Sequence, residues 1–170
     1  MLKVCLLSLL AAALWLSGCG NQQLPSDTAP SRMPTHAQPR LQTMKLWLGA
    51  EEIVAELALT PVQQQTGMMF RTNMDENAGM LFPLDTTRRA SFWMTNCPLP
   101  LSAAYIDPAG VIREIHDLQP FNPKPVESAQ PYVRFVLETR QGWFRRHNVR
   151  EGMIVRTERG PLMQVFFPGQ

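Results

Sequence analysis

Arg71 carries a guanidinium just after a short helical stretch, and Glu138 places a carboxyl at the end of an apolar run beginning at Tyr132. Opposite charges at the rim of a small core have two uses. They can close as a bidentate pair that fixes helix against sheet, or they can leave the arginine facing a cleft as an anion-binding group. In Phe92-Trp93-Met94-Thr95-Asn96 the alternation of an extended strand puts Met94 and Asn96 on one face and Trp93 on the other. With Trp93 in the core, Asn96 becomes a polar handle in an apolar pocket; otherwise it shapes the turn ahead of Cys97-Pro98. Arg71, Met94, Asn96, Ser102 and Glu138 are the ligand-binding candidates.

Sulfur is the second theme. Eight methionines lie between Met44 and Met163, and thioethers are soft donors suited to Cu(I). A copper site predicts that at least three of Met68, Met69, Met80, Met94, Cys97 and His116 converge, whereas methionines that only fill an irregular core are scattered. With no CxxC, HxxxH or paired-carboxylate spacing, no metal and no cofactor is assigned. Cys97 as a nucleophile needs His116 or His147 as its base, and Ser102 with His116 is the other pair to test. Without a Gly-x-Ser-x-Gly elbow or a phosphate-cradling glycine loop, no catalytic residue is assigned either.

Between Arg134 and Arg159 there are seven Arg against three Glu, while the stretch from Gly20 to Val133 is net acidic. Arg140, Arg145, Arg146 and Arg150, beside Trp143 and Phe144, are candidates to meet lipid headgroups or an anionic envelope polymer; a solvated face with local ion pairs is the alternative. A net charge of +2 argues against nucleic acid, which requires a concentrated basic face.

The positioning elements begin after a processed leader. Lys3 precedes an apolar run from Val4 to Leu16, too short to span a hydrocarbon core of about 30 Å as a helix, and Leu16-Ser17-Gly18-Cys19 resembles a bacterial lipobox. Residues 1–18 are thus expected to be a lipoprotein signal peptide and Cys19 the acylated first residue of the mature chain, anchoring it to a membrane. Gly20, rather than Asp, points to the outer membrane facing the periplasm, by resemblance to Gram-negative lipoproteins. Cys97 is then the single free thiol of the mature chain, which excludes an intramolecular disulfide.

Residues 19–43 read as the lipidated Cys and a Pro/Gln-rich tether, 44–163 as one globular domain and 164–170 as a tail. With 45% hydrophobic and 18% charged residues, the composition supports a buried core. Period-two patterning predicts a hairpin from Met44–Leu48 and Ile53–Leu59, and Thr60-Pro61 predicts an N-cap and first turn for a helix over Val62–Met69. Strands are expected at Gly79–Phe82, Ala90–Thr95, Leu101–Asp107, Val111–Leu118, Tyr132–Glu138 and Met153–Thr157, with a helical turn in Arg140–His147. Their sum is a mainly β (α+β) fold, a compact, partly open β-barrel with one or two short helices.

Four segments carry a family resemblance: Gly67-Met68-Met69-Phe70-Arg71, Gly79-Met80-Leu81-Phe82, Phe92-Trp93-Met94-Thr95-Asn96, and Val136-Leu137-Glu138 with Gly142 and Gly152 downstream. In order and spacing they resemble the domain of unknown function 192 family, small bacterial and archaeal proteins, across Glu56 to Val155. Two positions depart from the family's common form: Cys97 follows Asn96 where Thr is usual, and Ser102 stands where Asp is common, so any carboxylate chemistry there loses its charge. The resemblance implies no established activity. The functional expectation is a lipid-anchored envelope protein that binds a ligand, envelope polymer or protein partner without catalysis. The alternatives are a hydrolase-like or carbohydrate-acting enzyme and, third, a copper-binding periplasmic protein.

Overall fold

The structure, a computed structural model, describes residues 33–170; the signal segment, Cys19 and the first part of the Pro/Gln-rich stretch lie outside the described residues. Strands β1 (Thr43–Leu48) and β2 (Glu51–Leu57) form the expected antiparallel hairpin, with Leu46 opposite Ile53. Helix α1 (Pro61–Thr66) starts as the sequence predicts. The Thr60 hydroxyl accepts from Gln63 N–H while the Gln63 side chain accepts from the Thr60 N–H, a complete capping box with Pro at the first turn. The helix ends three residues earlier than predicted, at a Gly67 cap.

Through α1 the chain crosses to β3 (Ala78–Arg88), which pairs with β2 in parallel. The other strands are β4 (Ser91–Phe92), β5 (Leu101–Ile106), β6 (Ile112–Leu118), β7 (Val126–Glu127), β8 (Val133–Arg140), β9 (Val155–Thr157) and β10 (Gly160–Pro161), with helices α2 (Trp143–Arg146) and α3 (Leu162–Phe166). Eight strands make one curled sheet in the order β10-β9-β1-β2-β3-β8-β5-β6, and β4 and β7 form a separate pair. The Val111–Ile154 bridge and the bond from Ile112 N–H to Met153 O join the start of β6 to the approach to β9, so the sheet curls toward closure as a partly open barrel.

Each face of the sheet carries its own core. Leu46, Ile53, Leu81, Ala104, Ile106, Phe135, Leu137 and Trp143 pack on one face; Met80, Phe82, Leu101, Ala103, Tyr105 and Val136 pack on the other. The central strand β8 is buried along nearly its whole length, which is why Phe135, Val136 and Leu137 are apolar on both of its faces. Gly79 shows why the β3 motif begins with glycine. A Cβ there would lie 3.0 Å from the Glu138 carbonyl oxygen and 3.1 Å from Leu137 Cδ1, between strands that cannot separate. Gly79→Ala is expected to cost about 1–3 kcal/mol by overpacking, measured as a lower urea midpoint with an unchanged denaturant slope.

Both ends differ from the sequence reading. Gln38 Nε2 donates to the Gln63 and Gly67 carbonyls and Leu41 N–H donates to Glu56, so residues read as tether are bonded to the domain. Phe166 and Phe167 lie 5.9 and 5.8 Å from the Phe135 ring, so residues assigned to a tail complete the core instead.

Candidate functional site

Register places a row of residues along one face of the sheet. Glu56 on β2 is opposite Met80 on β3, Met80 is opposite Glu138 on β8, Glu138 is opposite Ala103 on β5, and Ala103 is opposite His116 on β6. Two carboxylates therefore share a row, separated by the strand that carries Met80. Arg71 takes the outer one: its Nη1 and Nη2 donate to Glu56 at 2.5 and 2.8 Å, and Nη2 also reaches the Pro39 carbonyl. The expected Arg71–Glu138 pair does not form, because Arg71 emerges from the α1 crossover beside β2, not β8. Burial alone would raise the Glu56 pKa. The Arg71 hydrogen bonds, the Leu41 N–H and the nearby charges of Arg71 and Arg40 outweigh it and hold this carboxyl below its ordinary value.

Glu138 has no such partner. It is only 4% exposed and, among the described residues, its carboxyl meets neither cation nor hydrogen-bond donor; burial pushes its pKa up to about 8. It lies on the wall of a cavity of about 250 Å³, with Met68, Met69, Phe82, Phe92, Met94, Cys97 and Leu101 among the lining residues and Gln64, Ser91, Trp93 and Thr95 also contributing. Met94 and Glu138 are the two ligand-binding candidates that the fold brings together.

The other three lie elsewhere. Asn96 is a left-handed turn residue (φ 58°) whose carbonyl accepts from Phe70 N–H at 2.7 Å, the turn-shaping role that was its alternative reading. Ser102 faces the other side of β5: its hydroxyl donates to Asp117 Oδ1 at 2.5 Å and accepts from Gly142 N–H at 2.8 Å. Ser102→Ala leaves the buried Gly142 N–H without its acceptor, while the exposed Asp117 turns to water, and is expected to cost about 1–3 kcal/mol, read by urea unfolding. Trp93 is 46% exposed, so the core expectation for it fails, while Met94 is buried. The exposed ring is possible because β4 ends at Phe92 and the following residues turn instead of alternating.

Backbone strain gathers at the same place. Four described non-glycine residues have left-handed backbones: Phe70, Asn96, Phe121 and Asn148. The first three are tied to the cavity-lining segment 94–97, with Phe70 N–H on Asn96 O, Phe121 N–H on Cys97 O and Met94 N–H on Asn122 O. For an aromatic residue this conformation costs on the order of 1–3 kcal/mol, and it persists only where surrounding structure enforces it, typically at binding sites. Sequence reading gave no sign of Phe70 or Phe121, since neither is a residue type suited to that backbone.

The nucleophile readings find no support in the geometry. Burial, reinforced by the charge of Glu138, pushes the Cys97 thiol up to about 12, against a weak opposing bond to Leu99 O. Neither candidate base lines the cavity. His116 bonds Glu114 at 2.9 Å and packs on Tyr105, and His147 bonds Glu51 at 2.8 Å and stacks on Trp143. His116 also shares its row with Ala103, on the face away from the Ser102 hydroxyl. In the basic segment Arg146 and Arg140 converge on Glu76 at 2.7 and 3.8 Å, while Arg145 and Arg150 border a shallow surface depression. Trp143 and Phe144 turn into the core, so the aromatic partners expected beside these arginines are not on the surface.

A curled mixed sheet with a buried carboxyl on one face, roofed by loops in strained conformations, defines a class of small β domain built round a cavity. Residues 44–157 match the model of the family described as an uncharacterised ACR, domain of unknown function 192, and the chain belongs to that family. A candidate transcription regulator from Sinorhizobium meliloti 1021 is 31% identical with a TM-score of 0.67, covering 71% of this chain and 98% of its own. A protein of unknown function from Novosphingobium aromaticivorans DSM 12444 is 29% identical with a TM-score of 0.64, covering 71% and 90%. No curated protein is similar to the chain.

Proposed function

We propose that this chain is a lipid-anchored cell-envelope protein whose domain binds a small ligand in the Glu138 cavity without turning it over. The Leu16-Ser17-Gly18-Cys19 motif supports the anchor and the location. The binding reading is carried by one observation: a carboxyl only 4% exposed, without a partner, on the wall of a cavity lined by sulfur and aromatic side chains. Such a group destabilises the fold unless something else uses it. A concave site that combines apolar and sulfur side chains with polar groups, here Gln64, Arg88, Ser91, Thr95 and the Glu138 carboxyl, matches the usual construction of a ligand site.

The enzyme alternative is weaker on this geometry. A glycosidase needs two carboxyl groups about 5–10 Å apart across the substrate, and among the described residues Glu138 is the only acidic one on the cavity wall. Regulation of transcription, suggested by the Sinorhizobium protein, is weakened among the described residues because Glu76 engages Arg140 and Arg146 of the basic segment.

The test is thermal unfolding of the full chain against small amines, carbonyl compounds, sugars and soft metal ions, where binding at 100 times Kd adds about 2.7 kcal/mol. A shift that disappears in a cavity-filling Met69→Trp variant supports the reading; a shift that survives the filling sinks it. Palmitate labelling and membrane retention, both lost in Cys19→Ser, are the expected results for the anchor.

A further inference from the structure

We propose that the Glu138 cavity is a soft-metal site that takes Cu(I) through the thioethers of Met68, Met69 and Met94, with Cys97 as a further sulfur donor. The inference rests on the cavity being a binding site and names its ligand class. Four sulfur side chains reach the lining from two segments, the turn after α1 and the loop after β4. The 2.7 Å bond from Phe70 N–H to Asn96 O ties those two segments to one another.

Composition selects the metal. Thioether and thiol sulfur suit Cu(I), whereas Ca²⁺ and Mg²⁺ require about six or more oxygen ligands. The cavity offers a single carboxyl, and among the described residues no trio of His, Cys, Asp or Glu could hold a metal ion.

Two further observations separate this from methionine used as filler. Filler closes space, as Met80 does at 0% exposure in the same apolar cluster but away from the cavity wall, whereas Met68, Met69 and Met94 border a cavity of about 250 Å³. Independently, Glu138 is 4% exposed and unpartnered on that wall, and a cation is the ligand whose charge offsets the cost of a lone buried carboxyl. His116, held by Glu114, takes no part. Coordination by the three thioethers breaks no bond and changes no oxidation state. A bond to Cys97 sulfur replaces its S–H bond, and the proton passes to solvent.

The experiment uses the full chain in detergent with Cys5→Ser and Cys19→Ser, leaving Cys97 as its one thiol. Cu(I) is supplied reduced and anaerobically against a colorimetric chelator. One Cu(I) per chain is expected, weakened at least about tenfold by Met69→Leu with Met94→Leu. Met44→Leu with Met163→Leu, in the other core, is expected to leave affinity unchanged. Methyl NMR with Ag(I) as a redox-inert substitute should shift Met68, Met69 and Met94 and spare Met44 and Met163. Affinity equal in both double variants overturns the proposal, as does failure to compete with the chelator. If Cu(I) fails while an organic compound stabilises the chain and loses that effect in Met69→Trp, the metal assignment falls and the cavity reading stands.

Discussion

Between pH 4.5 and about pH 8 the metal-free domain is expected to lose stability that a Glu138→Gln variant keeps. Burial raises the folded pKa of Glu138 from its ordinary 4.5 to about 8. Below pH 4.5 the carboxyl is protonated whether the chain is folded or not, and it contributes no pH dependence. As pH rises through this window the unfolded chain releases the proton while the folded chain retains it, so the unfolded state binds fewer protons and stability falls. Above about pH 8 both states are ionised and the loss levels off, at a total on the order of 3–5 kcal/mol. The amide of the Glu138→Gln variant cannot ionise, and it meets the same partnerless wall as the neutral acid. Variant and wild type should therefore nearly coincide at pH 4 and diverge steadily up to pH 8. Urea unfolding at a series of pH values measures this, and parallel curves would show that Glu138 titrates normally.

Local chemistry made much of the fold legible. The β1–β2 hairpin follows from period-two patterning, the start of α1 from Thr60-Pro61, and β5, β6 and β8 from the spacing of their apolar residues. Strands β7 and β10 have two residues each, too few to show any period, and Val165, Phe166 and Phe167 read as a tail because their partner, Phe135, is remote in sequence. The parallel pairing of β2 with β3 is likewise a tertiary choice.

The candidate site was half legible for a related reason. Met94 and Glu138 were chosen for their types and do meet at one cavity. Arg71 was matched to the wrong carboxylate because Glu56 and Glu138 occupy the same sheet row, and only strand order decides which is in reach. Strand direction explains Ser102, whose face is opposite to that of Leu101 and Ala103. Arg134 illustrates the same limit within the basic segment. It is buried with its guanidinium 3.7 Å from the Phe167 ring centre and bonded to Asp85 O and Gln170, a clamp on the C-terminus that charge counting reads as part of a surface.

The Arg71–Glu56 pair should show the opposite pH behaviour and the strongest single-residue effect away from the apolar core. Each side chain is 14% exposed, and the carboxylate also accepts from Leu41 N–H, so it fixes the start of the domain as well as the turn after α1. Arg71→Leu leaves Glu56 buried with one backbone donor and is expected to cost about 3–5 kcal/mol at pH 7. Because the folded pKa of Glu56 is depressed, its contribution is present above the ordinary carboxylate range and disappears as pH falls through the folded value. The penalty for Arg71→Leu should therefore shrink in acid, where the orphaned carboxyl becomes neutral. Adding Glu56→Leu removes the uncompensated charge and should restore part of the lost stability at pH 7, the remaining loss being the Leu41 N–H left without its acceptor. A double-mutant cycle at pH 7 and pH 4 measures the coupling directly. Additive effects at both values would mean that the two residues act separately, with the strap at Pro39 and Leu41 held by other contacts. Strong coupling at pH 7 that fades at pH 4 would assign to this pair the structural work once open to Glu138, and would leave the Glu138 carboxyl available to a ligand.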